Sequence, residues 1–289
     1  MDELTSSDLK IAAVKRTLFV SVFFIITCFY LISRCGAEEK TMQLTEELTI
    51  TEIEAGVYLI THCFPWPANS LLVKVSATDL ILVDTPWENQ ATAKLVDWIR
   101  QKFKACQLTV INTHFHRDNL GGNGYILSQN IPIYGSDLTV TLLSESKTNP
   151  RDLPHWMNKP EYEPYFAVFE KTELKPPDHI FNIRQGLVLK KDQETIEVYY
   201  PGPGHSPDNV VVYFYNRKLL FGGCIIRSLR SNRLGYTGTA NLKEWPDSLR
   251  KVLQKFSQCK IVVPGHGEAG DNRLFGHTIA ILKSPPERR

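Results

Sequence analysis

Four short apolar segments of this chain each end in a turn that carries a side chain able to bind a metal. The segment "LTVI" leads into "THFHRDNLGG", which places His114, His116 and Asp118 at every second position. The segments that lead into "GPGHSPDN", "FGGC" and "PGHG" are also rich in β-branched and aromatic residues, which favour strands. Glycines flank these donors, and glycine lets a loop bring its backbone close to a ligand. The pattern predicts a β-rich fold that carries a metal centre.

The order of the predicted elements indicates an α/β protein. Each half of the chain shows strands followed by helices, which predicts two mixed sheets packed face to face with helices outside. Residues 147–180 are rich in proline and aromatic residues and are longer than an ordinary connection, so they form either a functional flap or an insertion. The predicted helices are 89–103, 137–145, 241–256 and 272–284.

Composition limits the class of partner. The chain has 289 residues with a formal net charge of +2, which gives no basic surface of the kind that nucleic-acid binding needs. No heptad repeat or run of like charges indicates a protein partner, and we expect a monomer. The partner that remains is a small-molecule substrate.

Residues 1–37 differ from the rest. The uncharged apolar run 17–33 follows Lys15 and Arg16 and precedes the small residues that end at Ala37. This arrangement is typical of an export signal cleaved after Ala37, while a retained N-terminal membrane anchor and a lipid-modified Cys35 are the alternatives. We therefore expect a periplasmic or otherwise exported protein, with membrane anchoring as the alternative, whose catalytic domain spans 38–289.

The donors together fit two zinc ions better than one. Each donor taken alone has an ordinary structural explanation, for example as a surface histidine or as a small buried cysteine. Zinc takes nitrogen, sulfur and oxygen ligands in tetrahedral sites, and a catalytic zinc keeps one position for water. The first predicted site contains three histidines, and the second contains a carboxylate, a thiolate and a histidine: His114, His116 and His205, then Asp118, Cys224 and His266.

The motifs "HFHRD", "GPGHSPDN", "FGGC", "PGHG" and "LVDTPW" resemble those of the metallo-β-lactamase superfamily, and within it the subclass B1 enzymes, over roughly residues 45–285. The resemblance implies an αβ/βα sandwich with a zinc site at one edge, between the sheets. Related hydrolases such as glyoxalase II have a further histidine where this chain has Asn119, and a bridging aspartate where it has Cys224. Both replacements together follow the B1 pattern.

This resemblance implies a zinc-dependent β-lactamase that confers antibiotic resistance by hydrolysing the β-lactam amide bond with a zinc-bound hydroxide. Asp118 would hold the second metal and orient the hydroxide or pass a proton. A zinc hydrolase of another ester, lactone or thioester is the alternative. A non-catalytic zinc protein is disfavoured, because a structural zinc needs only four ligands.

Substrate contacts are expected at four further residues. Arg227 stands where the family usually has lysine, and its guanidinium can bind a substrate carboxylate through two hydrogen bonds, although a solvated surface arginine is the alternative. Tyr236 stands where the family often has an asparagine that contacts the carbonyl oxygen. The B1 flap is shortened here to residues 61–70, and Phe64 and Trp66 are expected either to cap the substrate or to pack in the core. Trp87 is expected to pack.

Overall fold

The computed structural model of the chain describes residues 40–145 and 160–284. The described residues from Thr41 onward belong to one compact unit. The apolar run 17–33, on which the export prediction rests, lies outside the described residues, as does the stretch 146–159. Within the described ranges, no helix combines the length and the apolar character that crossing a bilayer requires.

Eight strands form the first sheet, and they lie side by side in chain order. The pairs from the second to the fifth strand are antiparallel, and those from the fifth to the eighth are parallel, so the sheet is mixed. The strands are β1 Lys40–Gln43, β2 Leu48–Glu54, β3 Val57–Cys63, β4 Pro67–Lys74, β5 Asp79–Val83, β6 Gln107–Ile111, β7 Ile133–Ser136 and β8 His179–Phe181.

Five strands form the second sheet in the order β13-β12-β11-β10-β9. Its pairs are antiparallel except β12 with β13, which are parallel, so this sheet is mixed too. The strands are β9 Leu187–Lys191, β10 Glu194–Tyr199, β11 Val211–Phe214, β12 Leu219–Gly223 and β13 Ile261–Pro264.

Seven α-helices are present among the described residues, together with a 3-10 turn at Pro160–Tyr162. The helices are α1 Asn89–Lys102, α2 Arg117–Leu120, α3 Asn123–Ser128, α4 Asp137–Glu145, α5 Glu163–Lys171, α6 Trp245–Lys255 and α7 Arg273–Lys283. Glu88 caps α1, because its carboxylate accepts hydrogen bonds from the first backbone N–H groups of the helix.

Strand alternation divides the apolar residues between the two faces of each sheet. In β5, Ile81 and Val83 point into the core between the sheets, where they share a cluster with Val212 and Phe221 of the second sheet. Leu80 and Leu82 point the other way and pack with Leu95, Val96 and Ile99 of α1. On the far side, α6 and α7 cover β11 and β12 through a third cluster. The predicted sandwich with outer helices is therefore confirmed.

Three local predictions need correction. Helix α6 begins at Trp245 and not at Asn241, because Pro246 fits only the first turn of a helix and residues before it form a turn. The segment 61–70, predicted as a shortened flap, is mostly strand: β3 ends at Cys63, and β4 begins at Pro67, which pairs with Cys63. The short helices α2 and α3 follow His116 in a segment that was predicted as a loop.

Candidate metal centre

All six predicted donors lie near strand ends. His114 and His116 follow β6 of the first sheet, and Asp118 lies in the short helix α2 that continues this segment. His205, Cys224 and His266 follow β10, β12 and β13 of the second sheet. The donors therefore come from both sheets, and their ligand atoms form overlapping groups of three within 4.8 Å of one another.

The first predicted site, which consists of His114, His116 and His205, brings three imidazole nitrogens together, and we call these residues the first group. His116 Nδ1 lies 3.1 Å from His114 Nε2 and 3.1 Å from His205 Nε2. Burial lowers the pKa of His114 to about 3 and of His116 to about 4, and it lowers the pKa of His205 well below its usual range. The rings are therefore neutral at neutral pH, with lone pairs available to a cation.

The outer ring nitrogens of two of these histidines have partners. Thr113 Oγ1 lies 3.2 Å from His114 Nδ1, and Thr239 Oγ1 lies 2.9 Å from His116 Nε2. Such contacts fix the ring orientation of a metal-binding histidine. His205 Nδ1 is buried without a partner in the part of the chain that the structure describes.

The second group brings three electron-rich atoms together. Asp118 Oδ2 lies 3.1 Å from His266 Nε2, and Cys224 Sγ lies 3.3 Å from that nitrogen and 3.6 Å from Asp118 Oδ2. His266 Nδ1 lies 2.7 Å from the Pro67 carbonyl, to which it donates, so in the neutral ring Nε2 offers its lone pair to the group. A cation among these atoms satisfies all three, and we conclude that the donor set fits zinc.

Burial and charge act in opposite directions at Asp118 and Cys224. Burial raises the pKa of Asp118, but its contact with His266 and the other nearby histidines bring that pKa well below its usual range. Burial raises the pKa of the Cys224 thiol well above its usual value, and the charge of Asp118 adds to this rise. Metal binding favours the thiolate, because the metal takes the place of the proton.

A buried carboxylate supports the segment that carries the histidines. Asp84, which is fully buried and has a positive φ of 61°, accepts hydrogen bonds of 2.7 Å from the Thr113 N–H and of 2.7 Å from the Thr113 hydroxyl. It also accepts one from the Asn119 amide. Asn119 therefore supports this segment through its contact with Asp84. Burial raises the pKa of Asp84 to about 8.

Sequence reasoning missed the supporting residues. Asp208 accepts hydrogen bonds of 2.8 Å from both Ser206 and Thr139, which joins the His205 loop to α4. Asn69 donates from its side chain to the carbonyls of Pro264 at 2.9 Å and Gly267 at 2.7 Å, on either side of His266. Asp84 and Asp208 stand within the motifs "LVDTPW" and "GPGHSPDN", but only the fold shows which groups they contact.

Arg227 is buried, with 8% of its surface exposed. Its Nε has no hydrogen-bond partner among the described residues, and its guanidinium packs against Gly235, where a Cβ would lie 3.3 Å from Nη2. Burial lowers the pKa of Arg227, although the nearby Cys224 and Asp118 oppose this effect. The alternative of a solvated surface arginine is therefore wrong.

Tyr236 lies beside the first group of histidines. Its ring centroid is 5.5 Å from that of His116, and the side chain is 36% exposed. The hydroxyl lies over Gly238, because a Cβ at that glycine would be 2.4 Å from it. In this position the hydroxyl makes no hydrogen bond to another residue of the described chain.

Phe64 and Trp66 join an aromatic cluster with α5. This cluster consists of Phe64, Trp66, Ala68, Trp87, Phe166 and Phe169, with Tyr162 and Tyr165 at its edge. The Phe64 ring lies 4.7 Å from that of Tyr165, and the Trp66 ring lies 4.9 Å from that of Trp87. Trp87 is 3% exposed, which confirms its predicted packing. Phe64 and Trp66 stay partly exposed, and their contact with substrate remains a prediction.

The fold and the site define a metalloprotein. Its two mixed sheets form a sandwich, and the segments after strands of both sheets supply the histidines, the carboxylate and the thiol of the metal centre. The sequence profile described as "Metallo-beta-lactamase superfamily" matches residues 63–266, and the chain belongs to that family. The resemblance predicted from the five motifs is thereby confirmed.

Named relatives are similar in sequence to this protein over most of the chain. A "Metallo-beta-lactamase type 2" of Pseudomonas aeruginosa is 33% identical over 264 residues, which cover 89% of this chain and 91% of the relative. One from Bacillus cereus is 32% identical over 244 residues, covering 83% and 84%. A solved metallo-beta-lactamase from Pontibacter korlensis is 31% identical, covers 82% of this chain and 100% of its own, and superposes with a TM-score of 0.70.

Proposed function

We propose that this protein is a zinc-dependent β-lactamase that hydrolyses the β-lactam amide bond. The observation that carries the proposal is the group formed by Asp118, Cys224 and His266 beside three converging imidazoles. Cys224 and Asn119 separate this site from the hydrolase pattern that uses a bridging aspartate and a further histidine. Relatives named as metallo-beta-lactamases over most of the chain support the same substrate class.

We propose that the site holds two zinc ions. His114, His116 and His205 would bind one ion, and Asp118, Cys224 and His266 would bind the other. Three protein donors for each ion leave room for a further ligand in a tetrahedral shell, which is typical of catalytic zinc. When bound, zinc supplies Lewis acidity and lowers the pKa of its water.

The residues around the metals bind and orient the substrate in this proposal. Asp118 would hold the second metal, and its carboxylate, which the nearby histidines keep ionised, would orient the hydroxide or pass a proton to the leaving amide nitrogen. Arg227 binds the substrate carboxylate, and its buried, unpaired Nε marks a cation that still needs an anionic partner. Both side chains are already held in place: Asp118 contacts His266 and Cys224, and Arg227 packs against Gly235.

Tyr236, Phe64 and Trp66 complete the proposed substrate contacts. The Tyr236 hydroxyl, which lies over Gly238, would donate a hydrogen bond to the carbonyl oxygen. Phe64 and Trp66 present their exposed edges to the apolar part of the substrate, while the aromatic cluster holds their other edges. These contacts replace part of what a longer flap supplies.

We also propose export, with residues 1–37 as a cleaved signal or a retained anchor, and a role in antibiotic resistance. The charge pattern before the apolar run 17–33 supports export. Mass spectrometry of the protein from fractionated cells tests it: a periplasmic form that begins after Ala37 indicates cleavage, and an intact N-terminus in the membrane fraction indicates an anchor.

Substrate class is tested with a panel given to the zinc-loaded chain. The panel contains a chromogenic cephalosporin, a carbapenem, a lactone and a thioester. We expect hydrolysis of both β-lactams, with the lactone and the thioester left largely intact. Faster hydrolysis of the lactone or the thioester than of either β-lactam would assign the same metal site to the alternative class of substrate.

A further inference from the structure

Arg117 lies between two proposed metal ligands, yet its side chain contacts a different element. Its guanidinium lies over the ring of Phe169 in α5, 4.9 Å from the ring centroid. Nη1 donates to the carbonyl of Thr172, at the C-terminal end of the same helix, over 3.2 Å. The guanidinium therefore uses both its face and its edge to hold α5.

Helix α5 also contacts the turn that supports His266. Phe169 lies 5.8 Å from Phe64 and 5.8 Å from Trp87, ring centroid to ring centroid. Phe64 and Trp66 are followed by Pro67, whose carbonyl accepts the hydrogen bond from His266 Nδ1. The aromatic cluster is thus connected at one end to the segment of His116 and Asp118, and at the other to His266.

We propose that Arg117 is a positioning residue that couples helix α5 to the segment carrying His116 and Asp118, so that the aromatic cluster fixes both sides of the metal site. This proposal depends on the proposed function only for the identity of the metal and of the substrate. The cation–π contact and the charge-assisted hydrogen bond give the guanidinium two attachments, which a smaller side chain lacks.

Zinc affinity of the full-length chain, measured by competition with a chromogenic chelator, tests the coupling without any substrate. Partners outside the ligand shell typically change metal affinity by about 10–100-fold. We therefore expect Arg117→Ala to weaken zinc binding about tenfold, and Arg117→Lys to recover part of that loss. Arg250→Ala is the matched control, because Arg250 is exposed on α6 and pairs with Asp247 three residues earlier in the same helix.

A double-mutant cycle separates coupling from general destabilisation. Phe169→Leu keeps an apolar side chain in the cluster but removes the ring under Arg117. If the two residues act together, the combined variant loses less zinc affinity than the sum of the single losses, expressed as free energies. Amide hydrogen exchange of residues 163–172 provides a second measurement for the same set of variants. We expect these amides to exchange faster in both single variants than in the wild type.

The result that overturns the proposal is a drop in melting temperature with zinc affinity kept within twofold of the wild type. A purely structural arginine would behave in that way. Additive losses in the cycle would also overturn it. If Arg117→Ala fails to fold, Arg117→Lys and Phe169→Leu still decide the matter, because the coupling predicts weaker zinc binding in both. Failure to hydrolyse β-lactams would leave these binding results unaffected.

Discussion

At the scale of single residues, burial decides which groups are charged. The imidazoles of His114 and His116 are buried, so they stay neutral and offer lone pairs at neutral pH. Asp118 stays ionised beside them because its histidine neighbours outweigh the effect of its burial. Arg227 is a buried cation whose Nε lacks a hydrogen-bond partner within the described chain. The site thus brings neutral and anionic donors together beside a buried cation.

Replacement of Arg227 by methionine tests its contact with the substrate carboxylate. A hydrogen bond to a charged group is worth about 1.5–3 kcal/mol, so we expect KM for a cephalosporin to rise roughly 10–100-fold. We expect kcat to change much less, because the contact binds the carboxylate alike in the ground state and in the transition state. The measurement is steady-state kinetics, with Arg227→Lys as the charge-conserving variant.

The control for Arg227 is Arg230→Ala, since Arg230 lies three residues further on and is exposed in an ion pair with Glu268. It should leave KM unchanged. An unchanged KM in Arg227→Met would exclude the proposed carboxylate contact.

His62 provides a test of pH dependence away from the metal ligands. It is 2% exposed, its Nδ1 accepts a hydrogen bond from the Trp87 N–H, and burial lowers its pKa to about 4. The unfolded chain binds the proton near pH 6.5, so His62 lowers the free energy of unfolding as the pH falls from about 6.5 towards 4, by at most about 1.4 kcal/mol per pH unit. Above pH 6.5 this loss is absent.

The variant His62→Asn keeps an acceptor for the Trp87 N–H but does not titrate. Urea unfolding of the zinc-free proteins between pH 7 and pH 4.5 should show a shallower loss of stability in the variant. The ligand histidines titrate in both proteins, so their contribution cancels. Parallel curves for wild type and variant would mean that His62 does not set this pH dependence.

At the scale of elements, short segments hold the ligands where they are needed. Helix α2 begins at Arg117, directly after His116, and places Asp118 in its first turn. Gly121 then lies against the turn before α1, where its ideal Cβ would be 1.8 Å from the Trp87 carbonyl oxygen. This approach of two backbones is possible only without a side chain.

Two glycine-to-alanine substitutions, which we expect to change the stability in opposite directions, test this packing. Gly121→Ala would collide with backbone and should destabilise the protein by about 3 kcal/mol or more and weaken zinc binding. Gly276→Ala is the matched control, because Gly276 lies within α7 and its Cβ would meet nothing within 4 Å. It should stabilise the protein by about 0.5–1 kcal/mol, as alanine favours a helix. Equal melting temperatures for the two variants would contradict the close approach.

At the scale of the whole molecule, the metal site joins the two sheets. Three donors follow β6 of the first sheet, and three follow strands of the second. A bound ion therefore links the sheets at this edge. Elsewhere, Arg217 of the turn between β11 and β12 donates to the carbonyl of Ala55, in the turn between β2 and β3, and to that of Lys74 in β4.

Removal of zinc should therefore destabilise the fold as well as abolish activity. Zinc present at 100 times its Kd stabilises the folded state by about 2.7 kcal/mol. We expect calorimetry to show a lower melting temperature after chelation and full recovery when zinc is added back. Magnesium, which prefers oxygen ligands, is the control ion and should not restore the transition. A melting temperature that chelation leaves unchanged would mean that the ion does not link the sheets.

Sequence predicted the parts of this structure that depend on local pattern. Apolar runs marked the strands, and the glycine-flanked turns after them indicated the six candidate donors that the fold brings together. The long-range contacts escaped prediction, because residues that meet in space lie far apart in the chain. Asp84 with Thr113, Arg117 with Phe169, and the burial of Arg227 depend on how the sheets and helices pack. The helix α2 was missed because four residues give too short a pattern to recognise.

The central claim is tested most directly by titrating zinc into the chelated, zinc-free chain while turnover of a chromogenic cephalosporin and a carbapenem is followed. We predict no turnover without metal, and full activity once both donor groups are filled at two equivalents of zinc. Turnover that survives complete chelation, or a chain with two bound zinc ions that leaves both β-lactams intact, would contradict the proposed function.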